Sequence, residues 1–364
     1  MNRRPVCLVA FLIMLPAVVV FAELAPPKIN AQGLLPKAMI ADPVQEEWRA
    51  LSVSPATEDV GAVQSLGTLE KRDRQKADFL SAAKKIKVFR DKYPNRPEAR
   101  VAKCLEVKDL LSASLATDSD PDAQSLALAA DVRGDSQIPS RNRFEVVSLL
   151  EMIRMRRTTG DLTSFLSANE TSVRKLIAEF PAEAAGYESF FRLAECQPED
   201  WKGNALASEL LTMPAPASVK AMAQEFLDRR GLVGMSLSKI ADAALGTSNP
   251  ISAAREKPVI VYSWASWNPG SVAYAKSLKS MVPADAVLIG VNLDKDLIVA
   301  RALAQAESLP GDQLYDVRGM ESPLARALKL TTSIHVFIAN GHEEIREASA
   351  ERGSFPVKLD LATR

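Results

Sequence analysis

The chain has few of the residues that most often carry polar chemistry. Of its 364 residues only two are histidine and three are cysteine, which leaves little material for a histidine relay or a zinc site. No two cysteines form a C-x-x-C pair, so no dithiol redox centre is expected. Neither sign of charge is in excess, 45 basic residues balancing 45 acidic ones, and a general nucleic-acid-binding surface is therefore not expected. A glycine-rich phosphate loop and a paired metal motif are also missing, so no cofactor, metal or catalytic residue is assigned.

Long apolar runs are absent except at the start, where Arg3 and Arg4 precede a stretch from Val6 to Ala22 broken by Pro16. That stretch is short for a spanning helix, which needs about 20 apolar residues, and it reads as an export segment. Processing is expected before Glu23 or before Gln32. An uncleaved anchor, with membrane association through it, and a cytoplasmic protein are the alternatives. The expected location is the periplasm or cell envelope, with secretion as a variant. Cys7 lies too early in the apolar run to read as a lipid-modified mature residue. For Cys104 and Cys196 three roles stay open: buried helix residues, a structural disulfide, or a reactive thiol.

What is present is enough chain for two or three cooperative units. Residues 1–31 form the targeting segment and 32–68 a weakly patterned lead-in. From Leu69 the pattern turns helical, with Phe79, Ala82, Ala83, Ile86 and Phe89 recurring at three- and four-residue spacings. Tyr93-Pro94 stops that helix and Pro97-Glu98-Ala99 starts another. Residues 117–140 read as a loop with a short helix around Ala123 to Ala130, and a further helix begins near Arg143. Helices are then predicted over 162–180, 184–196, 201–211 and 219–229, punctuated by Pro181, Pro198, Pro214 and Pro216. The aromatic-proline pairs Tyr93-Pro94 and Phe180-Pro181, each followed by a new helix, weakly resemble the texture of tetratricopeptide-like modules, although a regular 34-residue period is not evident. The region 69–230 is thus expected to be an array of helical hairpins.

After Gly231 the period changes. Val259 to Tyr262 is a short continuous apolar run suited to a central strand, and Ala286 to Val291 repeats that character. Helices fit Pro269 to Ser280 and Leu297 to Glu307. Further strands fit Ile334 to Ala339 and Glu344 to Glu347, with an Asn340-Gly341 turn between them. The fold class is therefore multidomain α plus α/β: a helical region, then a mixed sheet flanked by helices over 231–364.

One segment carries a specific resemblance. Lys257 to Ser271, with its run Trp264-Ala265-Ser266-Trp267-Asn268-Pro269-Gly270-Ser271, resembles the active-site strand and helix start of secreted thiol–disulfide oxidoreductases of the thioredoxin superfamily, especially the TlpA/ResA-like branch. Their pattern leads from Trp-Ala-x-Trp into Cys-x-x-Cys. Further similar stretches are Gly290 to Asp294, Asp316 to Met320, Pro323 to Leu330 and Val336 to Gly341, so the resemblance covers roughly residues 232–350. It implies a thioredoxin-like fold with the chemistry removed. Asn268 stands at the position of the nucleophilic cysteine and Ser271 at that of the resolving cysteine. Exchange needs a thiolate and a second thiol to resolve the mixed disulfide, and neither residue supplies one.

Asn268 instead reads as a helix N-cap with Pro269 at the first helical position; direct ligand contact by Asn268 is a compatible second role. The family's cis-proline position is occupied by Ile334. Because a cis bond before a non-proline residue costs about 2.5–4 kcal/mol, a trans connection is expected there. His335 flanks this loop, with either a contact to the altered site or a structural or solvent-facing role; His342 follows a turn glycine and is expected to be exposed. Trp264 is expected to pack the sheet against a helix, and Trp267, nearer the helix entrance, to be the more exposed. Together Trp264, Trp267, Asn268, Pro269, Ser271, Ile334 and His335 are the candidate site positions. The leading expectation is an exported, non-catalytic protein that binds a protein or peptide. The alternatives are an oxidoreductase working through Cys104 or Cys196, and a helical scaffold.

Overall fold

In the computed structural model the residues described are 43–52, 68–155, 161–247, 249–254, 256–331, 334–348 and 359. The expected targeting segment 1–31 lies outside them. Among the described residues no helix is long and apolar enough to cross a membrane. One compact unit ends at Gly186 and the other begins at Tyr187.

The first unit is all helix: α1 Pro43–Ser52, α2 Thr68–Lys92, α3 Pro97–Ala116, α4 Ala123–Gly134, α5 Ser140–Met155, α6 Leu162–Glu179 and the first turn of α7 Ala184–Glu195. The lead-in expected over 32–68 thus contains a helix. Its Val44, Trp48 and Leu51 recur at i, i+4 and i+7 and pack on Ile86, Phe89 and Ala102. The Trp48 and Phe89 rings lie 5.2 Å apart. Proline at the first position lets α3 begin without a side-chain cap, whereas Asp122 and Asp161 cap α4 and α6 by accepting Ser125 N–H at 2.6 Å and Ser164 N–H at 2.7 Å. Val107 and Leu111 of α3 share a core with Val132 of α4 and Val146 and Leu150 of α5.

The second unit contains the rest of α7, α8 Asp200–Thr212, α9 Ala217–Arg230, α10 Leu237–Leu245, α11 Pro250–Ala253 and a five-stranded sheet. It therefore starts well before Gly231. The strands are β1 Val259–Trp264, β2 Val287–Asn292, β3 Asp312–Leu314, β4 Val336–Ala339 and β5 Ile345–Ala348, in the order β3-β2-β1-β4-β5. Pairs β1–β2 and β2–β3 are parallel, while β1–β4 and β4–β5 are antiparallel. Helices α12 Pro269–Leu278, α13 Leu297–Ala306 and α14 Pro323–Ala327 complete the unit. This mixed sheet flanked by helices is a thioredoxin-like α/β fold.

Every residue of β1 is buried, and its alternation divides two cores. Val259 and Val261 face a cluster with Leu237 and Ala241 of α10 and Leu324 and Ala325 of α14. Ile260, Tyr262 and Trp264 face another, with Val272 and Ala275 of α12 and Ala300 and Ala304 of α13. Helix α10 and strand β3 were not expected from the sequence, and the strand expected from Ile334 begins at Val336. The segment before α10 covers the outer edge of β5: Gly234 N–H donates to Ile345 O at 2.8 Å and Ile345 N–H to Met235 O at 2.9 Å, satisfying groups an open edge would expose. Behind β5 the buried Arg230 of α9 donates to Glu347 Oε1 at 2.6 Å and also pairs with Asp200.

Candidate functional site

The chain leaves β1 at Trp264, and the parallel strand β2 ends beside it, with Trp264 paired to Asn292. Loops following the parallel strands therefore gather at one end of the sheet, where open α/β sheets place their ligands. The antiparallel partner β4 begins at that same end. Ser263 N–H donates to His335 O and His335 N–H to Ser263 Oγ, both at 2.9 Å, so Ile334 stands alongside the exit of β1.

The turn from β1 into α12 is held by the polar groups of Asn268 and Ser271. Asn268 Oδ1 accepts Gly270 N–H at 3.0 Å and Ser271 N–H at 3.3 Å, and Pro269 occupies the first helical position. This is the N-cap geometry expected of the pair. Ser271 is buried, its Oγ accepting Ala265 N–H at 3.1 Å and donating its one proton to Asn268 O at 2.7 Å, with Ala265 O 3.1 Å away. Neither side chain offers a thiolate, and the first amides of the helix, the groups that ordinarily favour an anion, are already satisfied by Asn268.

A second set of partners went unrecognised in the sequence. Asp294, just past β2, is buried and accepts Ser266 N–H at 2.9 Å, Ser266 Oγ–H at 2.9 Å and Asn292 Nδ2–H at 2.6 Å. A buried carboxylate requires such donors. It pins Ser266, which lies next to Trp267, to the end of β2. The usable signal was the polar pair Asn292 and Asp294 at the mouth of an otherwise apolar strand.

The two tryptophans differ sharply. Trp264 is fully buried, its Nε1–H donating to Gln313 Oε1 at 2.8 Å. Gln313 Nε2 in turn lies 2.7 Å from Tyr262 Oη, and Tyr262 Oη lies 2.5 Å from Pro310 O. Burial pushes the Tyr262 phenol up to about 12, so it stays a neutral hydrogen-bonding group. Trp264 accordingly packs the sheet and does not line the surface. Trp267 is 59% exposed and Ile334 is 38% exposed, and both lie at the same end of the sheet. Ile298, Val299 and Val317, on the segments following β2 and β3, are also exposed apolar residues at that end.

His335 is buried rather than solvent-facing. Desolvation, reinforced by the positive charge of Arg229, pushes its imidazole down to about 3, so it is neutral across the physiological range. His342 is exposed. The Ser333–Ile334 junction lies partly outside the described residues; among the described residues no peptide bond is cis. Cys104 and Cys196 are both buried and neither is disulfide-bonded. Burial pushes the Cys104 thiol up to about 11, and its Sγ lies 3.4 Å from Arg100 O. Among the described residues no cysteine pair is poised for disulfide chemistry. Among the described residues no group of three or more histidine, cysteine, aspartate or glutamate side chains is placed to hold a metal ion.

No protein-family model matches the chain, and no curated protein does. Solved structures similar to part of it include two from Bacteroides. One is the solution structure of a Bacteroides vulgatus protein called a thiol-disulfide oxidoreductase, at 17% identity and a TM-score of 0.27, over 31% of this chain and 75% of that one. The other is the solution structure of a Bacteroides thetaiotaomicron protein called a protein disulfide isomerase, at 18% identity and a TM-score of 0.25, over 30% of this chain and 75% of that one. The likeness does not single out the TlpA/ResA branch, and it lends no support to the tetratricopeptide-like reading of the helices.

Proposed function

We propose that this chain is an exported, non-catalytic thioredoxin-like protein whose former redox end binds an apolar segment of a protein or peptide in the cell envelope. The observation that carries the reading is the exposure of Trp267 and Ile334 at the end of the sheet where the dithiol would stand. An exposed indole at the same end of the sheet as other exposed apolar side chains is the kind of surface that marks an interaction site. The capped helix start favours a neutral, apolar occupant over an anion. Export rests on the basic and apolar character of residues 1–31. In this reading the helices of residues 69–230, whether or not they follow a tetratricopeptide-like plan, add a second interaction surface.

The oxidoreductase alternative needs a nucleophilic thiolate, and the elevated thiol of Cys104 opposes it. Two measurements test the proposal. Insulin reduction by the full chain should stay at background with Cys104 and Cys196 intact; turnover that survives Cys104→Ser with Cys196→Ser would overturn the non-catalytic reading. Binding to an array of apolar-rich extended peptides should fall at least tenfold in Trp267→Ala and in Ile334→Asp. Equal binding by parent and variants would remove the site from the proposal and leave the scaffold alternative.

A further inference from the structure

Ile334 is held from both directions along the chain. On its C-terminal side the amide that joins it to His335 donates to Ser263 Oγ at 2.9 Å, and His335 O accepts Ser263 N–H at 2.9 Å. Ser263 of β1 thus grips His335 with its side chain as well as its backbone.

On the N-terminal side the chain is tied to the last turns of α9. Thr331 Oγ1 donates to Glu225 Oε2 at 2.7 Å and accepts Arg229 Nη1–H at 3.2 Å. Two residues earlier Lys329 Nζ donates to Asp228 O at 2.8 Å. Leu330, between them, is buried in the core under α10 and α14.

Arg229 is an expensive way to make such a tie. It is 3% exposed, its Nε–H has no acceptor among the described residues, and Glu225 Oε2 stands 4.0 Å from its Nη1. A buried, incompletely bonded guanidinium is a poor choice for stability, since packed apolar residues of similar volume serve as well or better. A rigid planar donor that reaches from a helix to a neighbouring segment is a good choice for fixing position. The position at stake is that of Ile334, which is 38% exposed at the end of the sheet. A contact surface already fixed before binding avoids the ordering cost that a loose one pays on binding.

We propose that Thr331, gripped by Arg229 and Glu225 of α9, and Ser263 of β1 are positioning residues that hold Ile334 ready for an apolar peptide. The inference rests on the reading of Trp267 and Ile334 as a binding site.

The test uses the full chain. Thr331→Val keeps the shape of the exposed Thr331 side chain and removes both of its bonds, while Thr331→Ser restores the hydroxyl. The probe is a fluorescein-labelled, apolar-rich extended peptide, the one that the parent binds most tightly. Its Kd should rise about fivefold in Thr331→Val, the equivalent of one side chain ordered on binding. It should rise similarly in Ser263→Ala and stay at the parent value in Thr331→Ser. Thermal unfolding checks that each variant is folded at the assay temperature. Hydrogen exchange supplies a readout that needs no peptide. The His335 amide should exchange several-fold faster in Thr331→Val, although its own bond to Ser263 Oγ is untouched, and at the parent rate in Thr331→Ser.

Parent-like exchange at His335 in Thr331→Val, parent-like affinity in Thr331→Val and Ser263→Ala, or an equal loss in Thr331→Val and Thr331→Ser would each overturn the positioning role. The two failures are separable. A parent that binds none of the peptides ends the reading of the site, and any role in binding with it, whereas a parent that binds and variants that bind equally well end the positioning role alone.

Discussion

The side chain of Gln313 occupies the space that a Cβ on Gly290 would fill. The two residues are paired across β2 and β3, and Gly290 is in turn paired with Tyr262 of β1. A residue without a side chain in the middle strand thus lets an amide from the edge strand reach two aromatic groups of the central one. Gly290→Ala should displace Gln313 and strip Trp264 Nε1–H of its acceptor, costing about 1–3 kcal/mol. Denaturant unfolding of Gly290→Ala, Gln313→Ala and the double variant checks this. The double variant should cost clearly less than the sum, since both single changes remove the same bonds.

Loss of the cap at Asn268 has a smaller expected effect. Asn268→Ala should lower stability by about 1 kcal/mol, while Asn268→Asp or Asn268→Ser should retain most of it. The readout is the unfolding midpoint. Equal stability in all four proteins would mean that the bonds from Gly270 and Ser271 do not stabilise the turn.

Acid should find His335. A buried base whose pKa falls from 6.5 to about 3 on folding binds fewer protons in the native state than in the unfolded one. Its neutral form is accommodated without penalty above about pH 6.5, and stability then declines as the pH drops toward 3. The decline amounts to at most on the order of 5 kcal/mol. His335→Gln should flatten that part of the stability profile, measured by unfolding at a series of pH values.

Removing Arg230 from the buried Arg230–Glu347 pair should cost about 3–5 kcal/mol, because the Glu347 charge is then left in the interior, whereas removing the Glu347 charge should cost less, since Arg230 keeps Asp200. Arg230→Met and Glu347→Gln are the variants, read by thermal unfolding. The same pair bears on where the sheet unit begins. A fragment of residues 231–364 lacks Arg230 and leaves Glu347 without it, so it should be less stable than one of residues 187–364.

Cys104 should react slowly with a thiol reagent at neutral pH in the native protein and rapidly once unfolded, since its thiolate is scarce at a pKa of about 11. Fast native labelling would revive the oxidoreductase alternative.

Much of this organisation was legible in the sequence, for identifiable reasons. The apolar runs that became β1 and β2 are continuous, as strands buried on both faces must be, and Asn268-Pro269 announces a helix start by local chemistry alone. The same kind of signal was present for α10, where Ser236 accepts Lys239 N–H at 3.3 Å ahead of Leu237, Ile240, Ala241 and Ala244. There the glycine and turn residues just upstream obscured it. Strand β3 has three residues and its burial is only partial, so no periodicity could develop. Roles that depend on approach between distant segments, such as Asp294 on Ser266 or Gln313 on Trp264, leave no local pattern at all. The burial of His335 belongs with them, since a histidine beside a loop reads equally well as a surface residue.

The alternation along β1 also determines which sequence errors the unit survives. Exchanging one apolar residue for another at Val259, Ile260 or Val261 disturbs one core and leaves the other intact. Deleting a single residue inside the strand is a different kind of error. It would turn Tyr262 and Trp264 into the cluster under α10 and α14 and send the smaller side chains to α12 and α13, misfilling both at once. Drift by replacement is therefore open to this strand, whereas drift by slippage is closed.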